Sequence, residues 1–350
     1  MTRPTLATID TSALAHNANW LKSSANGAKL MAVVKADAYG HNVRIVAPAL
    51  DGIADGFAVA HLDEAVELRG LKITKPILVL EGAFSESEYA EARSQNVTLA
   101  LTDDWQARHY LSMPAQQRPA VWIKFDSGMH RLGLDARGVQ ELLRVQHRVE
   151  PTVFTHFADA DIDRNKTLRQ LHKLTHLTQG HRCTLSSANS PALMQYPETH
   201  LDWVRPGFAL YGANPTNTYV DELKPVMTLN TRIHSLRWID AGESVGYGGT
   251  WTADRRSLIA TLPVGYADGY PRQANNGTPM RLRGQEVPLA GRVSMDLITA
   301  DVTNVDNAQI GDEIELWGNE VRIERIAAFN GMSAYELLAR IPKRLPRVRI

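Results

Sequence analysis

Cysteine is nearly absent: Cys183 stands alone in 350 residues, so no internal disulfide can form. That excludes the disulfide-dense secreted scaffolds and leaves the thiol its ordinary role as a small buried hydrophobe. Charge of one sign is also lacking, because 38 basic residues stand against 38 acidic ones with no long run of either. A nucleic-acid stripe or a polybasic membrane patch would leave such an excess, so neither nucleic acid nor membrane is expected as a partner. No stretch reaches the roughly eighteen consecutive apolar residues of a membrane-spanning helix, and the opening MTRPTLATIDTSALAHN has no apolar signal core. A cytoplasmic protein is expected. Internal repeats and low-complexity tracts are missing as well.

What is present is a soluble, globular composition, 44% apolar and 22% charged, in a chain long enough for one large domain and a smaller one. Eight short apolar runs punctuate the first two-thirds: KLMAVVKA (29–36), GFAVA (56–60), PILVLE (76–81), VTLAL (97–101), AVWIKFD (120–126), PTVFTHF (151–157), CTLSSAN (183–189) and DWVRPG (202–207). Each is continuous, the pattern of strands buried on both faces. Helix-like segments separate them, such as HLDEAVELRGL, with Leu62, Ala65, Val66 and Leu68 on one stripe and Gly70 as a stop. Eight such units predict an α/β fold closed into a (β/α)8, TIM-like barrel. After about Lys224 the texture changes to strands and turns: RIHSLRWI, SVGYGGTW, RSLIATLPVGYA, PMRLRG, QEVPLAG, LITADV and DEIELWG, with one helix in GMSAYELLARI. This predicts a second, mostly antiparallel β-domain. The expected division is 1–222 and 223–350, with a linker at 214–225 and the first strand free to join the β-domain.

Polar residues at the ends of these apolar runs carry the chemistry. In AVVKADAYGHN, Lys35 ends a buried strand where barrel enzymes place catalytic groups. A lysine desolvated there has a lowered pKa, can attack an aldehyde and can serve as a base; the plainer alternative pairs it with Asp37. Tyr39, four residues on, can face a phosphate. In KFDSGMHRLG, Lys124 again ends an apolar strand, and Arg131 offers a planar fork for an oxygen or carboxylate; the alternative is a basic loop on the barrel rim. Ser190 in SSANSPAL and the amides of Gly207 and Phe208 in RPGFALYG suit an anion cradle, though small-residue loops are common turns. In the second domain Tyr247, Tyr266, Arg292 and Met295 lie in glycine-rich turns, where an aromatic is ordinarily structural. His172 and His176 stand at chelating spacing on a helix, but no glutamate follows the first and no third ligand is evident. That pair reads as a solvated helix face, and no metal is expected.

Taken in order, VVKADAYGH, KFDSGMHRLG, THFADAD, ANS, WVRPGFALYG, VGYGGTW, GYADGYPR, GRVSMD and AYELLARIPKRLPR resemble the alanine racemase family over nearly the whole chain. The resemblance implies pyridoxal 5'-phosphate as cofactor, a small amino acid as substrate, and a head-to-tail homodimer in which each active site is completed by the partner's C-terminal domain. It implies that D-alanine is supplied for peptidoglycan. Residue by residue, it makes Lys35 the Schiff-base lysine and the base acting on the D-enantiomer. Tyr247, given from the partner, is the base acting on the L-enantiomer. Arg205 faces the pyridine nitrogen, and His156 bridges Arg205 and Tyr247. Arg131 sits beside the cofactor's phenolic oxygen and the substrate carboxylate. Lys124 matches a lysine carbamylated in several members. Tyr39, Ser190, Gly207, Phe208 and Tyr335 hold the phosphate, the amide of Met295 binds substrate carboxylate, and Tyr266 narrows the entrance.

Two bases on opposite faces of the cofactor plane are the minimum for moving a proton across Cα. A tyrosine needs nearby positive charge to act as one at neutral pH, and the His156–Arg205 pair would supply it. This chain departs from the commoner family pattern at Ser186, where many members have histidine, at Asn42, where glycine is usual, and at Asp37, which replaces a frequent asparagine. Rival readings are a broad-specificity or serine racemase, a barrel-type decarboxylase of basic amino acids, and a non-catalytic cofactor-binding protein. The decarboxylase would use a carboxylate at the pyridine nitrogen and a cysteine from the β-domain, against which stand Arg205 and the barrel residue Cys183. The non-catalytic binder would lack the second domain that carries Tyr247 and Met295.

Overall fold

The computed structural model describes residues 3–216 and 220–350; of the expected linker, residues 217–219 lie outside the described residues. The chain begins with strand β1 (Leu6–Ile9) and the helix Thr11–Ser24, and then enters a closed parallel barrel. Its strands are β2 (Lys29–Val33), β3 (Gly56–Val59), β4 (Ile77–Val79), β5 (Thr98–Leu101), β6 (Val121–Lys124), β7 (Thr152–Phe154), β8 (Thr184–Ser186) and β9 (Trp203–Val204). They coincide with the eight apolar runs read from the sequence. The last pair closes the ring, with Lys29 opposite Trp203 and Leu30 opposite Val204.

Strand periodicity decides what each residue faces. Leu30, Phe57, Val59, Ile77, Leu99, Ile123 and Val153 point outward into the core beneath the helices. Met31, Val33, Ala58, Leu78, Ala100, Trp122 and Phe154 point inward and fill the barrel with help from Leu80 and Trp203. Continuing the inward register by two residues from Val33 gives Lys35, and from Trp122 gives Lys124. Both lysines therefore project into the mouth at the carboxyl ends of the strands. Burying each large inward side chain contributes about 1.5–3 kcal/mol, so the barrel floor beneath the lysines is firm.

The second domain is built on a six-stranded sheet in the order β16-β15-β18-β10-β1-β19. Its members are β10 (Met227–Arg232), β15 (Pro279–Leu282), β16 (Gln285–Pro288), β18 (Glu313–Trp317) and β19 (Arg347–Arg349), together with β1 from the chain's start. Only the β1–β19 pair is parallel. A three-stranded sheet joins β11 (Ser235–Ile239), β14 (Ser257–Leu262) and β17 (Ile298–Asp301), and β12 (Ser244–Val245) pairs with β13 (Trp251–Thr252).

Three details differ from the sequence expectation. Strand β10 lies ahead of the predicted RIHSLRWI run; its alternation of buried Met227, Leu229 and Thr231 with more open residues is a half-exposed strand signal. The helix Ile323–Phe329 precedes the predicted one, now Ala334–Ala339, and is held by buried Ile323, Ile326 and Ala327. SVGYGGTW is not a continuous strand, because Gly246, Gly248 and Gly249 all take positive φ and turn the chain between β12 and β13. No helix of the described residues is long and apolar enough to cross a membrane. Cys183 is half-buried, and burial pushes its thiol up to about 11, which leaves it a poor nucleophile.

Candidate active site

A cavity of about 600 Å³ opens at the barrel mouth, and Lys35, Tyr39, Lys124, Arg131, His156, Ser190, Arg205, Gly207, Phe208 and Tyr335 all line it. Ten sequence-predicted site residues therefore meet in one place. Four of them are cations, against the carboxylates of Glu81 and Glu336 on the same walls. Burial lowers the Lys35 ammonium pKa, Arg131 lowers it further, and Glu81 and Glu64 pull the other way. Lys124, almost wholly buried, falls to about 8 through desolvation and the charges of Arg131, Arg205 and Lys35. An amine depressed in this way is available as a nucleophile, and the cationic excess suits an anionic ligand.

The backbone after Lys35 is unusual. Ala36, Asp37, Ala38 and Tyr39 have φ of 54°, 53°, 55° and 51°, one turn of left-handed helix made without glycine. Such a turn persists only where its surroundings over-determine it. The Ala36 amide donates to Glu64 Oε1 at 2.7 Å, and Ala60 donates to the other oxygen of the same carboxylate at 2.7 Å. The Val43 amide donates to Asp37 Oδ1 at 2.8 Å, and Arg347 Nε donates to the Gly40 carbonyl at 2.9 Å. Asn42 accepts φ of 70° and its side chain accepts from Arg44 N at 3.1 Å, capping the helix Val43–Leu50. The departures at Asp37 and Asn42 thus serve the turn rather than disturb it.

The turn brings Tyr39 onto Gly207, which follows the neighbouring strand β9. A Cβ on Gly207 would lie 2.6 Å from the Tyr39 hydroxyl, so any larger residue there must push the phenol aside. Ser190 Oγ accepts from the Gly207 amide at 3.0 Å, and the Tyr335 ring stacks on Phe208 with centroids 3.7 Å apart. These residues form a small, backbone-rich cradle of the kind that receives phosphate. Burial pushes the Tyr39 phenol up to about 12, and the Tyr335 phenol is also raised, so both remain hydrogen-bond donors.

Arg205, two residues before Gly207 at the end of β9, is 4% exposed, and burial lowers its pKa to about 9. It donates to Ser186 Oγ at 2.5 Å and to the Thr155 carbonyl at 2.5 Å; among the described residues no carboxylate pairs with it. Ser186 passes the link on by donating to the Trp203 carbonyl at 2.7 Å. The serine found where many family members have histidine therefore orients the guanidinium. His156 is held well below its usual pKa by burial, with Arg205 and Lys124 adding to the effect, so the positive charge of the His156–Arg205 pair resides on the arginine.

Tyr247, Tyr266 and Met295 do not line this cavity. They sit on the β-domain, with Tyr247 72% and Met295 54% exposed, and Tyr247 stands between positive-φ glycines that keep bulk away from its ring. Sequence reasoning missed Glu81 and Glu64. Glu81 carried a usable signal, a charge ending the apolar run PILVLE as Lys35 and Lys124 end theirs. Glu64 showed only the ordinary signal of a helix start, bonding Ala60 and His61, and nothing of its reach to the Ala36 amide 28 residues away. His172 and His176 stack at 6.0 Å on the exposed face of the helix Arg164–Thr178, and no group of three or more metal-binding side chains occurs among the described residues.

Comparison with known proteins agrees with this architecture. Residues 9–215 match the family described as alanine racemase, N-terminal domain, and residues 226–349 match alanine racemase, C-terminal domain. An alanine racemase from Alteromonas mediterranea is 43% identical over 354 residues, 99% of either chain. The crystal structure of a biosynthetic alanine racemase from Pseudomonas aeruginosa superimposes with a TM-score of 0.95 at 41% identity, covering all of both chains. That of an alanine racemase from Bartonella henselae with covalently bound pyridoxal phosphate gives 0.92 at 30% identity, covering 99% of each. With both domains matched in order and relatives aligned from end to end, this chain belongs to the alanine racemase family.

Proposed function

We propose that this chain interconverts L- and D-alanine with pyridoxal phosphate held on Lys35, as one half of a homodimer with shared active sites. The observation that carries the reading is the convergence of a desolvated lysine and a glycine–serine–tyrosine cradle on one cationic cavity. Tyr39, Ser190, Gly207, Phe208 and Tyr335 would hold the phosphate, and Arg205 would face the pyridine nitrogen. Bound pyridoxal phosphate supplies the electron withdrawal that acidifies the Cα–H of an attached amino acid. Lys35 takes or returns the proton on one face. An arginine, unlike a carboxylate, disfavours protonation of the ring nitrogen, which weakens the electron sink and limits side reactions.

The other face needs a second base; of the β-domain's tyrosines only Tyr335 lines this cavity, and it is stacked on Phe208 in the cradle with its phenol pKa raised, so it is no base. Exposed Tyr247, with the Met295 amide and Tyr266 of the same domain, is assigned to a second copy's cavity. There His156 would link it to Arg205, Met295 and Arg131 would hold the substrate carboxylate, and Tyr266 would narrow the entrance. Lys124, with a pKa of about 8, is neutral in roughly a tenth of molecules at pH 7 and can add carbon dioxide. The amine nitrogen bonds to carbon, a proton is released, and the resulting carbamate anion lies between Arg131 and Arg205. The division into barrel and β-domain at 222/223, a cytoplasmic location and a role in supplying D-alanine for peptidoglycan complete the proposal.

The test is racemisation of L-alanine followed by circular dichroism, with L-serine as the competing substrate. Lys35→Ala and Tyr247→Phe homodimers are each expected to be inactive or strongly impaired. Their mixture, after subunit exchange, should recover about a quarter of wild-type activity, because half the dimers then hold one intact site. No recovery on demonstrated exchange would defeat the shared site. Cofactor binding without racemisation of either amino acid would defeat the function.

A further inference from the structure

Asp268 is a fully buried carboxylate that the reaction as described does not use. It lies two residues after Tyr266, in the turn Tyr266–Asp268. Arg3 donates to both of its oxygens, at 2.7 Å to Oδ1 and at a shorter distance to Oδ2, and the Gly265 amide donates to Oδ2 at 2.9 Å. Arg344 Nε reaches Oδ1 at 3.0 Å, while its Nη2 donates to Asp296 at 2.6 Å. Asp296 follows Met295 directly. The two turns are also joined through their backbones: Tyr266 N donates to the Ser294 carbonyl at 3.0 Å, and Ala267 N to the Met295 carbonyl at 3.0 Å. The approach is so close that a Cβ on Gly265 would sit 2.3 Å from Met295 O.

Burying a carboxylate costs several kcal/mol, and two guanidinium groups from opposite ends of the chain converge on this one. A planar guanidinium can span two carboxylates at once, which a lysine ammonium cannot do with fixed geometry. We infer that Arg344, bolted between Asp268 and Asp296, is a positioning residue that fixes the Tyr266 and Met295 turns as one rigid platform for the substrate end of the partner's site. The inference rests on the assignment of those two residues to a second copy's cavity. Arg344 is half-exposed and Asp268 keeps Arg3 and the Gly265 amide without it, so its removal loosens the platform and spares the fold.

The experiment compares Arg344→Ala, Arg344→Lys and Asp296→Asn with Tyr266→Ala and Met295→Pro, the last of which deletes the amide. For Arg344→Ala the expected result is a KM for L-alanine raised about ten-fold, a smaller change in kcat, and a higher ratio of serine to alanine turnover. Backbone hydrogen exchange over residues 265–268 and 294–296 should quicken, while the cofactor's absorbance titration and the melting temperature stay at wild-type values. Arg344→Lys should fall between. If Tyr266→Ala and Met295→Pro shift KM and selectivity but Arg344→Ala does not, the clamp is wrong and the platform stands. If those two variants are silent as well, the platform assignment itself is wrong. Parallel loss of melting temperature and cofactor affinity in Arg344→Ala, with KM unchanged, assigns the arginine to fold maintenance and overturns the inference.

Discussion

The left-handed turn after Lys35 can be tested at Ala36, which is exposed and can be changed without opening a cavity. Four non-glycine residues in this conformation cost about 1–2 kcal/mol each. The offset comes from two charge-assisted bonds, to Glu64 and Asp37, worth about 1.5–3 kcal/mol each. Three backbone bonds, Ala38 to Val34, Gly40 to Ala36 and Asn42 to Asp37, add about 1 kcal/mol apiece, so strain and restraint nearly balance. Ala36→Gly removes one share of strain and adds about 0.5–1 kcal/mol of unfolded-state entropy, for a net gain of about 0.5–1 kcal/mol. In a chain of this length that raises Tm by about 1 °C. Ala36→Val places a β-branched residue where it is least tolerated and should cost at least about 1 kcal/mol. Thermal and urea unfolding of the cofactor-free chain at fixed concentration would measure both. A glycine variant that loses stability while the valine variant keeps it would refute the strained turn.

Lys124 sits at about 8 in the folded chain against 10.5 unfolded, so between those values the unfolded state binds more protons and stability rises with pH, by up to about 3 kcal/mol. In carbon-dioxide-free buffer Lys124→Met should erase that slope from urea titrations run across the same window, and with ¹³C-bicarbonate the wild type alone should show a carbamate resonance that grows as pH rises through 8. Ser186→Ala strips Arg205 Nη1 of its acceptor; calorimetry should record a loss of about 1–3 kcal/mol, and the absorbance of the bound cofactor should shift. Gly207→Ala drives a Cβ into the Tyr39 hydroxyl, and spectroscopic titration should find cofactor affinity lowered at least about ten-fold while the apo melting temperature moves little.

The barrel was legible because each of its strands is buried on both faces, and continuous apolar runs of that length have few other uses. Strand β10 and the helix Ile323–Phe329 were harder, since both are short and half-exposed, where local pattern is weak. Lys35 and Lys124 announced themselves by the same rule that hid Glu64 and Asp268, whereas Arg205 entered through the family resemblance. A charge at the end of an apolar run is a visible local conflict. A carboxylate with one near backbone partner and its telling partner 28 or 265 residues away shows no conflict until the chain is folded. Tyr247 was visible by its glycines, yet no local pattern gave its purpose, which came from the family resemblance alone. The cations of the barrel mouth carry the function furthest. Lys35, Lys124 and Arg205 are all depressed in the same direction, by burial in every case and by neighbouring positive charge at the two lysines. A fold gains nothing from repulsion of that kind, and hydrophobic residues of similar size would be more stable there. An anionic ligand offsets that repulsion at each of these positions at once, and in that sense the site is built for a phosphate-bearing guest.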